Sequence, residues 1–194
     1  DYISGKLNVN GIKAIDVACG GGLLAESLHL KGAKMTGVDI SDVAIHTATL
    51  HAEKQGLEIE YLNCEAEDLL PNEKESFDLV TCLEAIEHVP DPAKLVETCS
   101  NLCKPGGTIV FSTINRNPKS FLFAIVGAEY ILNLLPKGTH EYKKFIKPSE
   151  LSSMMRNNSL EVVEVIGMSY NPITKNYWLG KDVDVNYLIH AKKK

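Results

Sequence analysis

The chain has 194 residues, 44% of them hydrophobic and 23% charged, with a formal net charge of −5. That length suits one domain with a substantial core, and the mildly acidic balance argues against nonspecific binding to nucleic acid. Five cysteines without a CxxC pair are poor material for a disulfide framework and point to a reducing compartment.

In chain order, short β-rich apolar runs alternate with helical patterns. Strands are expected over Ala14–Cys19, Lys34–Val38 and Glu60–Cys64, and helices over Gly22–Lys31 and Asp42–Gln55. Ser41 or Asp42 suits the N-cap of the second helix, and Gly56 its stop. A fourth strand is expected at Phe77–Cys82, a helix at Ala93–Leu102 after Pro92, a turn at Lys104-Pro105-Gly106-Gly107 and a fifth strand at Thr108–Thr113. Such alternation predicts a parallel sheet covered by helices on both faces. Right-handed crossovers then bring Ala18, Asp39, Glu65 and Leu83 to one edge of the sheet, facing a common cleft. Near the end, Leu160–Gly167 and Asn186–Lys193 read as two more strands, joined by a turn-rich stretch around Asn171-Pro172 and Gly180-Lys181.

The first strand-to-helix turn, from Asp16 to Gly22, is the most specific local signal. Glycine there lets backbone N–H groups approach a ligand closely, and Asp39, ending the next strand, is placed to accept hydrogen bonds from both ribose hydroxyls. Gly20, Gly22 and Ala25 also fit the dinucleotide fingerprint, so glycines alone leave nicotinamide or flavin and S-adenosylmethionine level. Asp16 separates them. A carboxylate just before the turn can receive a charged ammonium, whereas it would repel a pyrophosphate. With the order of the later strands, this resembles class I S-adenosylmethionine-dependent methyltransferases. The candidate cofactor-binding residues are Asp16, Ala18, Gly20, Asp39, Ile40, Glu65, Ala66 and Leu83.

After the fourth strand comes Leu83-Glu84-Ala85-Ile86-Glu87-His88. On a helical turn, Glu84, Glu87 and His88 would share one face, where they can ligate a divalent cation or let one member act as base. The alternative is that His88 only braces a loop. Between the fifth strand and the C-terminal hairpin lies an insertion at about 115–148, rich in Phe, Leu and Ile and rimmed by Arg116, Lys119, Lys137, Lys143, Lys144 and Lys147. It reads either as a surface that buries into a membrane interface and attracts anionic headgroups, or as a helix pair forming a lid on the same domain. His140 within it is a lesser catalytic candidate. Phe121 to Leu135 falls short of the roughly 20 apolar residues of a spanning helix.

Several segments together are similar to the ubiquinone biosynthesis O-methyltransferase family, bacterial UbiG and its mitochondrial counterparts. They are Asn115-Arg116-Asn117, Val126 to Leu132, Pro136 to His140, Lys144 to Pro148, Tyr170 to Ile173 and Val183 to Tyr187. The resemblance runs nearly the whole length. It implies a Rossmann-like, mostly parallel seven-stranded α/β sheet with a C-terminal antiparallel hairpin, as a single domain over 1–194. It implies S-adenosyl-L-methionine as cofactor, with contacts at Ala18, Asp39 and Leu83 and with Glu65 and Ala66 near the adenine. The implied substrates are polyprenyl catechols and demethylubiquinol. Glu84, Glu87 and His88 correspond to proposed Mg2+ ligands. The expected partners are the polyprenylated phenol or quinol, an anionic membrane surface through 115–148 and a ubiquinone-pathway protein complex. The expected location is cytoplasmic and peripheral to the inner membrane, or the matrix face in a eukaryote. Another small phenol as substrate, or a noncatalytic cofactor- or lipid-binding module, are the competing readings.

Two departures from the family pattern stand out. Ala18 replaces the usual glycine, which is tolerable if its φ is negative. The resemblance also implies an N-terminal arm ahead of the first strand, carrying a cofactor-contacting arginine, which residues 1–194 are expected to lack.

Overall fold

The computed structural model describes residues 2–120, 142–171, 174 and 176–194. Its centre is an eight-stranded sheet in the order β3-β2-β1-β4-β5-β8-β6-β7. The strands are β1 (Lys13–Val17), β2 (Lys34–Asp39), β3 (Glu60–Asn63), β4 (Phe77–Leu83), β5 (Cys103–Ile114), β6 (Leu160–Asn171), β7 (Asn176–Gly180) and β8 (Asn186–Lys193). The first five pair in parallel, whereas β8 runs antiparallel to both β5 and β6. β7 adds antiparallel to the outer edge of β6.

The strand count corrects the expected seven. β7 lies inside the stretch read as turns, because Asn176-Tyr177-Trp178-Leu179-Gly180 places large apolar side chains at successive exposed positions and shows no alternation. The expected turn at 104–107 sits within β5 as a bulge. Phe77 pairs with Cys103 and Leu79 already with Thr108, and Gly106 takes φ 77°.

The helices are α1 (Tyr2–Lys6), α2 (Leu23–His29), α3 (Asp42–Gln55), α4 (Leu70–Glu73), α5 (Pro92–Leu102), the single turn α6 (Pro118–Ser120) and α7 (Pro148–Asn157). Their ends follow from local chemistry. Ser41 Oγ accepts from the Ala44 amide at 3.3 Å and Gly56 closes α3 at φ 66°, while Asp91 Oδ1 accepts from the Lys94 amide ahead of α5. α7 begins with proline, and Glu150 reaches back to the Lys147 amide at 3.0 Å. Its Leu151 and Met155 are both fully buried.

Two cores form, one on each face of the sheet. Val80, Cys82, Phe111 and Ile189 pack on Val96, Cys99 and Leu102 of α5 and on Leu151 and Met155 of α7. On the other face Ala14, Leu79, Val110 and Leu188 pack with Ile3 of α1 and Ala25 and Leu28 of α2. The central strands are buried on both sides, which is why they read as nearly continuous apolar runs. All five cysteines are free thiols. No helix among the described residues is long and apolar enough to cross a membrane.

Candidate functional site: a cleft at the C-terminal ends of the parallel strands

The turn after β1 is shaped by left-handed residues. Ala18, Gly20 and Gly22 have φ of 57°, 53° and 81°, and the Cys19 amide donates to the Val38 carbonyl at 3.0 Å. Tyr61 of β3 explains two glycines: a Cβ on Gly22 would lie 2.3 Å from its hydroxyl oxygen, and one on Gly37 2.6 Å from its ring. The proviso on Ala18 is therefore not met. Its φ is positive, and an L side chain there costs about 1–2 kcal/mol.

Asp39 ties the loops together. Its Oδ2 accepts from the Gly20 amide at 2.9 Å and its Oδ1 from the Ser41 amide at 2.8 Å, while Asn63 Nδ2 donates to its carbonyl at 3.0 Å. Each carboxylate oxygen still has acceptor capacity for a ribose hydroxyl. Ile40, immediately after it and ahead of α3, is 76% exposed. Glu65 and Ala66 follow β3 at the same edge, where the Glu65 amide donates to Asp68 Oδ2 at 3.1 Å in a reciprocal cap.

Asp16 lies beneath the turn, fully enclosed. Thr81 Oγ1 donates to its Oδ1 at 2.6 Å. Burial drives its carboxyl up to about 7; the Thr81 bond opposes this and the nearby Asp39 charge adds to it. A cation seated there would draw the proton off. Burial likewise lifts the Cys19 thiol to about 12, with Asp16 and Asp39 contributing, so it stays protonated.

Glu84 follows Leu83 at the end of β4 in a left-handed conformation, φ 52°. Its amide donates to the Ser112 carbonyl at 3.1 Å and to Ser112 Oγ at 3.0 Å. Ser112 Oγ in turn donates to Glu84 Oε1 at 2.6 Å, and Asn186 Nδ2 to Oε2 at 3.3 Å. Glu84 as a residue is exposed, yet Ser112 and Asn186 hold its carboxyl. Burial and the Glu87 charge raise it to about 7, against the pull of Ser112 and Asn186. Water reaching it from the open side tempers that shift.

The segment after Glu84 is a turn, with the His88 amide donating to the Ala85 carbonyl at 2.9 Å, not the helix that would align the three side chains. Glu87 is buried: Thr113 Oγ1 donates to its Oε2 at 2.8 Å, and Oε1 has no partner among the described residues. His88 lies on the exposed side of the turn. Among the described residues, no three His, Cys, Asp or Glu side chains gather closely enough to hold a metal ion. The donor set expected for Mg2+ is thus not assembled in this arrangement.

Residues 121–141, with His140 and Lys137, lie outside the described residues. Of the basic rim, Lys143, Lys144 and Lys147 are exposed, whereas Arg116 is engaged by the Glu150 carboxylate. Phe145 and Ile146 are buried, and Tyr187 donates to the Ile146 carbonyl at 3.0 Å. The supporting residues Thr81, Ser112, Thr113 and Asn186 carried no signal in the sequence beyond a polar residue in or beside an apolar strand.

Residues 15–111 match the family model described as a methyltransferase domain. A ubiquinone biosynthesis O-methyltransferase of Marinobacter nauticus is 55% identical over 194 residues, covering 99% of this chain and 82% of that protein. The protein of the same name from Saccharophagus degradans is 53% identical, covering 100% and 82%. Among solved structures, an S-adenosylmethionine-dependent methyltransferase of Methanosarcina mazei aligns with a TM-score of 0.73 at 23% identity, covering 99% of this chain and 96% of that one. The magnesium protoporphyrin IX methyltransferase of Synechocystis with bound S-adenosylhomocysteine (SAH) gives 0.70 at 16% identity, covering 100% and 78%. The fold is that of class I methyltransferases and the cofactor is S-adenosylmethionine. The chain belongs to the ubiquinone biosynthesis O-methyltransferase family, a family of S-adenosylmethionine-dependent O-methyltransferases.

Proposed function

We propose that this chain methylates a phenolic oxygen of polyprenylated catechols and of demethylubiquinol. The observation that carries the chemistry is the Glu84 carboxyl, held by Ser112 and Asn186 yet reached by solvent, at the same C-terminal edge of the sheet as Asp39 and Asp16. A phenol, with an unperturbed pKa of about 10, is a poor nucleophile until its proton is removed, and a base poised near the working pH suits that transfer. In this reading Asp16 meets the cofactor ammonium, Asp39 the ribose hydroxyls, and Ile40, Glu65 and Ala66 border the adenine, with Ala18, Gly20 and Leu83 shaping the turn and cleft floor. As the phenolic oxygen bonds to the sulfonium methyl, the sulfur–methyl bond breaks toward sulfur and the phenolic proton passes to Glu84. The products are a methyl ether, SAH and one proton.

Glu87 fixes the turn through Thr113, and His88 is a second candidate base. No step is assigned to Mg2+, since the three residues do not converge. Exposed Lys143, Lys144 and Lys147 support contact with an anionic inner-membrane surface from the cytoplasmic side, each contributing about 1 kcal/mol when close to it. That site would also give access to a complex of pathway enzymes. Flotation with anionic vesicles tests the contact: binding that survives neutralisation of all three lysines would refute this electrostatic account.

The function is tested with the full-length protein, labelled cofactor and short-chain demethylubiquinol. Methyl incorporation is expected, and Glu84→Gln lowers kcat by about 10²- to 10⁴-fold with SAH affinity retained. Absence of incorporation by the unsubstituted protein would refute the reading.

A further inference from the structure

The row of residues that begins at Glu84 continues across the sheet to its outer edge. Leu83 pairs with Ser112, Ser112 with Leu188 and Leu188 with Ile166; one step nearer the cleft, Asn186 pairs with Met168 and Met168 with Leu179. Directly paired residues share a face, so Ile166, Met168 and Leu179 lie on the same side as Ser112 and Asn186, the two donors to Glu84. Above the last β6–β8 pair, Tyr170 and Tyr177 face each other with ring centroids 4.4 Å apart. β6 runs parallel to β5, so this hairpin projects past the sheet at the edge where the cofactor cleft opens.

The stripe is apolar and open. Ile166 and Met168 pack partly into the core, while Tyr170, Leu179 and Tyr177 are 38%, 39% and 68% exposed. Neighbouring strands lie about 4.8 Å apart, so the path from Asn186 to Leu179 is about 10 Å long. It starts at a carboxylate bonded to Asn186 and ends at the sheet edge.

We propose that Ile166, Met168, Tyr170, Tyr177 and Leu179 form the track for the isoprenoid tail of the substrate, leading it from the ring beside Glu84 to the open edge at β7. This rests on the proposed function, whose substrate joins a polar ring to a long hydrocarbon. The stripe has the matching arrangement, with the Glu84 carboxyl and the Asn186 amide at its inner end and apolar or aromatic surface from there to the edge. Continuity with the reacting end distinguishes it from a surface for a second copy or another chain segment, neither of which would require alignment on Glu84.

The test compares kcat/KM of full-length protein for a soluble demethylubiquinol carrying a short isoprenoid tail and for the tailless catechol, without vesicles. SAH affinity and size-exclusion elution serve as controls. In Tyr177→Ser and Leu179→Ser the ratio of tailed to tailless kcat/KM is expected to fall about tenfold, since loss of apolar contact in a pocket changes discrimination by 10–200-fold. An unchanged ratio would overturn the track, as would an equal loss on both substrates or a changed oligomeric state, which would show that another protein surface covers the stripe. Loss of vesicle binding with the ratio intact would reassign the stripe to the membrane and overturn it too. Failure of the unsubstituted protein to methylate either substrate would instead refute the function on which the track depends.

Discussion

Asp16 gives the sharpest quantitative expectation. In the free protein burial holds its carboxyl up at about 7, and the role proposed for it, meeting the cofactor ammonium, requires it ionised. Binding therefore releases a proton below that value, and affinity should weaken as pH falls. At pH 6 only about one molecule in eleven has the carboxylate ready, so Kd rises roughly tenfold relative to its plateau, following the linkage between protonation and binding. The window is pH 6 to 7.5, because α-amino groups themselves lose their proton near 8. Asp16→Asn should flatten this dependence and weaken binding by about 1.5–3 kcal/mol, the scale of a hydrogen bond to a charged group.

Folding stability should move the opposite way. The folded value of Asp16 lies above the ordinary 3.8, so folding takes up a proton. Stability falls as pH rises from about 4 through 7. Raising the carboxyl that far corresponds to roughly 4 kcal/mol of destabilisation above pH 7. The amide of Asp16→Asn keeps an acceptor for Thr81 without that charge, so the cofactor-free variant should unfold at higher urea at pH 8. Isothermal titration calorimetry at several pH values and urea denaturation read both effects. A wild-type Kd flat from pH 6 to 7.5, or a variant that binds as tightly as the wild type, would refute the reasoning.

Ala18→Gly removes the left-handed strain at φ 57° and should raise stability by about 1 kcal/mol in urea denaturation; a loss of stability would show that the methyl contributes packing instead. Gly22→Ala places a Cβ 2.3 Å from the Tyr61 hydroxyl and should lower stability by about 1–3 kcal/mol and weaken SAH binding in the same titration. Gly167→Ala sets a Cβ 1.6 Å from the Asp182 carbonyl oxygen. The strand must separate from the 181–185 loop, costing at least about 2 kcal/mol, and the substitution should speed proteolysis within that loop.

The parallel half of the sheet was legible because buried central strands and capped helices each leave a local mark: Ser41, Gly56 and Pro92 stand where the expected helix boundaries put them. The strand-to-helix turn after β1 was legible for the same reason, since its glycines lie close together in sequence and Asp39, which accepts from the Gly20 amide, follows shortly after. β7 was hidden because an added edge strand needs no alternation when both of its faces are exposed. α7 and α1 were hidden because short helices depend on what they pack against. The helical face expected for Glu84, Glu87 and His88 failed on a backbone property. Glu84 takes a positive φ under the hold of Ser112, a partner 28 residues away, and periodicity carries no information about such a contact. Asn186, 102 residues from Glu84, was equally beyond local reasoning.

Before any cofactor arrives, the Asp39 carboxylate already joins the loops after β1 and β2, and its carbonyl holds Asn63 beside them. The conformational entropy of bringing three loops together is therefore spent during folding, and the cleft meets its ligand preorganised. Replacing this aspartate by asparagine, nearly identical in shape, would put an amide N–H₂ where one of two backbone amides now finds an acceptor. Such a change would set donor against donor and unfasten a loop, so the residue is a clasp between strands whatever it meets in the cleft.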